Sequence, residues 1–207
     1  MTATSSRPSS ASTPAVLGVL VGLVLLAAVV AFAVLLLPRA HGSADTDLPA
    51  TLPGGLTATD VVDDSQGDPA AAQDFADQQR DLMASAEDRL EAVYDVPAHA
   101  RTYQDPERGV QVTVMVLEQA AGPFVPDGPP VDPSLLGNAR NQTDLVQVGE
   151  GTCSLIWQQP VPAGQPISEP DPQAVKCQVG GDESTYQLIG VGITAQEGVE
   201  LLEGLLG

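Results

Sequence analysis

The sequence predicts an α+β domain, one long amphipathic helix packed on an antiparallel sheet, carried behind a single N-terminal transmembrane helix. Three observations predict it. Residues 15–37 carry no polar side chain. Residues 69–94 repeat apolar side chains at helical spacing. The second half of the chain alternates apolar and polar residues in short runs bounded by Gly and Pro, and two of those runs hold the cysteines.

The apolar run comes first. Its 23 residues rise ~1.5 Å each as a helix, roughly 34 Å in all, which covers a ~30 Å hydrocarbon core. Pro14 and Pro38 flank it. A cleaved signal peptide has an apolar region of roughly 7–15 residues, and Ala40-His41-Gly42 is a poor cleavage site, so an uncleaved anchor is expected. Gly18/Gly22 and Ala27/Ala31 are small-xxx-small pairs of the kind that lets two spans approach. Residues 1–14 are rich in Ser and Thr and read as a disordered cytoplasmic tail. Arg7 and the α-amine on that side against Arg39 on the other set the N-terminus inside, with the C-terminal domain extracytoplasmic. The cysteine pair agrees, because disulfides persist in oxidising compartments.

Charge is uneven. From Asp45 onward six basic residues stand against 27 acidic ones, a balance of −21. Such a domain repels phosphate backbones and anionic lipid, which excludes nucleic acid as the expected partner. Aromatic residues are only 3% of the chain, so the core must be built from Val, Leu, Ile and Ala. The abundance of Ala, Gly, Pro and Val beside a single lysine, Lys176, is the bias of a GC-rich bacterial genome.

Residues 38–67 read as an extended linker with a short strand near 56–62, and residues 68–207 as the domain. Asp60, Asp63, Asp64 and Asp68 do not keep the spacing of a calcium loop and read as a solvated turn. Asp68-Pro69 is a helix start, cap followed by first-turn proline, and Val96-Pro97 ends the helix. Its stripe of Ala71, Phe75, Leu82, Ala86, Leu90 and Val93 is expected to pack against the sheet. A hairpin follows: strand 98–103, turn 105–109, strand 110–118 with Val110, Val112, Val114 and Val116 on one face. Residues 120–141 hold five prolines and three glycines and read as a long loop, the first place to look for a working surface, with Phe124 and Val125 exposed near its start. Asn141-Gln142-Thr143 matches a glycosylation sequon, read as chance in a bacterial chain. Strands are expected at 144–148, 152–158, 174–179 and 185–191, with a Pro-rich connection at 160–172. Cys153 and Cys177 fall mid-strand on apolar faces and are expected to form a disulfide that contributes roughly 3 kcal/mol by loop-closure entropy. A helix over 194–205 with Val199, Leu202 and Leu206 inward completes the domain.

Chemistry is sparse. His99 and His41 lie too far apart in sequence to suggest a metal site, and no nucleophile elbow, phosphate loop or dinucleotide glycine pattern occurs. His99 reads as a half-exposed structural residue. No cofactor, metal or catalytic residue is expected. The plan of a Ser/Thr-rich tail, one span, a Leu-Pro-Gly-Gly lead-in at residues 52–55, then a helix and a one-disulfide sheet resembles small single-pass envelope proteins of actinobacteria. The resemblance is architectural and carries over no functional residue. The expected function is a non-enzymatic binding or accessory module displayed outside the cell membrane, engaging another envelope protein or a ligand. A hydrolase of envelope polymer using paired carboxylates and a cation-responsive domain are the alternatives.

Overall fold

Alternating apolar runs pair into one antiparallel sheet because each can bury only one face. The computed structural model describes residues 48–62, 68–168 and 171–206. In chain order the elements are β1 (Thr51–Leu52), β2 (Leu56–Ala58), α1 (Pro69–Tyr94), β3 (Ala98–Asp105), β4 (Val110–Leu117), β5 (Asn138–Arg140), β6 (Thr143–Val148), β7 (Gly151–Ile156), β8 (Val161–Pro162), β9 (Ala174–Gly180), β10 (Thr185–Val191) and α2 (Ala195–Glu203). Eight strands form the main sheet in the order β1-β2-β3-β4-β10-β9-β7-β6, and β5 pairs with β8 in a small second sheet. The domain is therefore α+β and antiparallel. The tail 1–14, the apolar run 15–37, and Asp63 and Asp64 lie outside the described residues. Among the described residues no helix is long and apolar enough to cross a membrane.

Register aligns the core in rows across the sheet. Val114, Leu188, Cys177, Cys153 and Val146 lie opposite one another in successive strands. All but Val146 are fully buried. Cys153 and Cys177 are directly paired in neighbouring strands and form the disulfide. Val110, Val112, Val114 and Val116 all face this core, as their alternation requires.

The short helix α2 covers that face. Thr194 caps it through a full capping box: its hydroxyl accepts from Glu197 N–H, and the Glu197 carboxylate accepts from Thr194 N–H at 2.8 Å. Val199, Leu201 and Leu202 join the core, whereas Leu206 is partly exposed. Two glycines let α2 approach closely. A methyl group built on Gly151 would lie 2.6 Å from Val199 Cγ2, and one on Gly198 would lie 3.1 Å from Cys177 Sγ. The disulfide thus sits directly beneath α2.

The long helix does something different from what its pattern predicts. Asp68 accepts from Ala70 N–H at 3.0 Å, and Asp95 closes the far end in the left-handed conformation. Within α1 only Ala76 is buried; Phe75, Leu82 and Val93 are exposed. The expectation that the stripe Ala71-Phe75-Leu82-Val93 faces the sheet is corrected on this point. The cause lies at the sheet edge. β2 pairs with only the second half of β3, at Thr57–Gln104 and Ala58–Tyr103. The outward N–H groups of Ala98 and Ala100 have no strand beside them. Glu91 and Glu87 of α1 take those donors, at 3.3 and 2.8 Å. Carboxylate-to-amide bonds at an open edge turn the helix on its polar side and blunt the edge against stray pairing.

The linker boundary is corrected as well. From Leu48 on, the stretch read as linker belongs to the domain: Leu48, Leu52, Leu56 and Ala58 are buried in the core. Asp60 pairs bidentately with Arg101, both contacts at 2.9 Å, and Arg101 also donates to Leu48 O. This partly buried ion pair ties the lead-in to β3.

Candidate interaction surface

The face of the sheet opposite the core is mixed in character. One transverse row there reads Ala100, Met115, Gln187, Gln178 and Thr152, and the next reads Thr102, Thr113, Ile189, Lys176 and Ser154. α1 covers the β3 end, where Thr102 contacts Thr113 at 3.0 Å and Met83 Sδ at 3.5 Å. Ile189 and Val191 stay exposed.

The proline-rich segment after β4 covers the β9 end. It is pinned rather than loose. Thr185 Oγ1 donates to Gln119 O at 2.9 Å, and Gln178 Nε2 donates to Gly122 O at 2.8 Å. Lys176 reaches Asp127 at 3.4 Å and lies 5.9 Å from the centre of the Phe124 ring. Farther along, Asn141 Nδ2 donates to Val131 O at 2.8 Å. Residues Pro133–Leu136 form a 3₁₀ turn capped by Asp132, which accepts from Ser134 N–H at 2.8 Å. Bonds from the Ser134 hydroxyl and then its N–H hold the Asp132 carboxyl below its ordinary pKa. β5 follows and pairs with β8, and Arg140 stacks 4.6 Å over Trp157. The expectation of a structureless loop over 120–141 is therefore corrected: its second half is ordered by this turn and this strand.

The segment displays apolar side chains. Val125 is 73% exposed and Leu135 77% exposed, with Val131 and Leu136 also turned outward. Phe124, expected to be exposed, is instead half-buried against Lys176. Val125 is exposed as expected. Val131, Leu135 and Leu136 were not singled out by sequence. The signal was present, three large aliphatics in a Pro/Gly segment with no period to bury them. Prolines at 123, 126, 129, 130 and 133 fix φ near −65°, so a surface built on them loses little entropy on binding.

Polar groups at the β3 edge are engaged within the fold. Asp60 is held by Arg101, and Arg80 donates to the Asp60 carbonyl at 3.2 Å, beside a cleft of about 280 Å³ that Met83, Glu87 and His99 also line. His99 Nε2 lies 3.5 Å from Glu118. Among the described residues no group of three or more His, Cys, Asp or Glu is placed to hold a metal ion. No family model, curated protein or solved structure matches the chain.

Proposed function

We propose that this protein is a non-enzymatic binding or accessory module of the bacterial cell envelope. Residues 15–37 anchor it as a single-pass membrane helix, with residues 1–14 cytoplasmic and the disulfide-bearing domain extracytoplasmic. The observation that carries the reading is the pinned proline-rich segment with Val125, Val131, Leu135 and Leu136 exposed. Four aliphatic side chains turned outward on one braced segment offer a preformed apolar contact surface. The partner is an envelope protein, and no nucleic acid or cofactor is involved. The apolar run, the acidic balance of the domain and the disulfide support the location.

The test is in-cell crosslinking of the full chain, affinity capture and mass spectrometry, comparing the native protein with Leu135→Asp/Leu136→Asp. The reading expects one reproducible envelope partner that the variant loses while its melting temperature is kept. The same capture profile from both proteins contradicts it.

A further inference from the structure

The long helix offers a second surface, separate from the proline-rich segment. Phe75, Leu82 and Val93 are 46%, 52% and 75% exposed. They recur at spacings of seven and eleven residues, which keeps them on one flank of a straight helix. A 26-residue helix is roughly 39 Å long. This one turns its inner side to β3 and to Asp60 of the lead-in and leaves that flank exposed at these three positions.

Charge identifies what fits. Asp74, Asp81 and Asp88 also recur every seven residues, roughly 100–140° round the helix from the apolar row. None of the three has Lys or Arg three or four residues away in sequence, the spacing at which helical side chains meet. The other acids of the helix contrast with them. Asp77 is paired with Arg80, and Glu87 and Glu91 bind the edge of β3. Exposed Arg89 lies nearer the row, so this side of the helix sets three carboxylates against one guanidinium. That acidic excess beside an apolar row is the complement of an amphipathic helix that carries Lys or Arg beside its own apolar row. A second copy of this chain fits worse, because its formal net charge of −19 opposes self-association.

We propose that the Phe75-Leu82-Val93 flank of α1 docks a cationic amphipathic helix of a partner protein, with Asp74, Asp81 and Asp88 pairing its basic side chains. The full chain in detergent micelles is titrated into a dye-labelled synthetic helix bearing one leucine row flanked by lysines, and anisotropy is read. Its twin with glutamate for lysine is the control. The lysine helix should bind, the glutamate twin should not, and threefold higher salt should weaken binding. Asp74→Asn/Asp81→Asn/Asp88→Asn and, separately, Leu82→Ser/Val93→Ser should each weaken it at least fivefold. Glu150→Gln/Asp182→Asn/Glu183→Gln removes the same charge from exposed sites elsewhere and should leave it unchanged, as should Leu135→Asp/Leu136→Asp. All these positions are exposed, and circular dichroism confirms the fold of each variant. Equal weakening by the Glu150 triple variant, binding of the glutamate twin, no binding at all, or loss of binding in the Leu135 variant overturns the proposal. So does a dimer in sedimentation that Leu82→Ser/Val93→Ser disperses, since the occupant would then be a second copy. The loop and the helix stand or fall on different variants.

Discussion

Gly151→Ala probes how α2 is seated over the disulfide. The added methyl would lie 2.6 and 3.1 Å from the two Cγ atoms of Val199 and 3.1 Å from Val179 Cγ2, where ordinary contact is 3.4–4 Å. Overpacking of this kind costs about 1–3 kcal/mol, which lowers Tm by about 2–12 °C for a domain of this size. Val199 is fully buried. Val199→Ala removes two methyl groups and leaves a void, at about 2–3 kcal/mol. The double variant removes two of the three short contacts and refills part of the void. It should therefore be more stable than the sum of the single losses by about 1 kcal/mol or more. Urea unfolding of the four proteins gives the cycle. Additivity within about 0.5 kcal/mol would refute this seating of α2, and so would a stabilising Gly151→Ala.

Replacing Cys153 and Cys177 by Ala opens a loop of 24 residues' separation and should cost about 3 kcal/mol, read as a Tm lower by about 6–12 °C. Thr194→Ala should cost about 1 kcal/mol by loss of the α2 cap. Glu197 is held below its ordinary pKa of 4.5 first by the Thr194 N–H, then by the Thr194 hydroxyl. Its stabilising share is thus complete above that value and is lost as pH falls through the lower folded value. Glu197→Gln should flatten Tm against pH in that acidic window, and an unchanged profile would contradict the linkage. Glu87→Ala/Glu91→Ala should raise hydrogen exchange at the Ala98 and Ala100 amides well above that at the inner Val112–Val116 amides; equal protection would show that α1 does not cap this edge.

What was legible in the sequence is what is periodic. The Val110–Val116 alternation gave β4 its register, and Asp68-Pro69 and Val96-Pro97 gave α1 its bounds. Cys153 and Cys177 were placed correctly because each sat mid-strand on an apolar face. The side of α1 that turns inward was not legible. It depends on where β2 stops, and on two glutamates that find backbone donors no local pattern announces. For the same reason the helix on the core is the nine-residue α2, not the longer and more conspicuous α1. The short strand expected from residue 56 is present as β2, but Leu48 and Leu52 are not legible as core, because a strand of two residues has no period to recognise. Their burial comes from packing into a core most of whose members lie some fifty residues or more along the chain. In the proline-rich segment the exposure of Val125 follows from the sequence, but the half-burial of Phe124 does not, since it depends on Lys176, more than forty residues away.

The central claim is that the braced proline-rich segment meets a partner outside the membrane. The most direct measurement places a photo-crosslinking amino acid at Leu135 of the full chain, irradiates intact cells, and compares the same probe at Glu203, exposed at the end of α2. The account predicts one discrete adduct from position 135, absent from position 203 and abolished by Leu136→Asp. Equal or absent adducts at the two positions would contradict it.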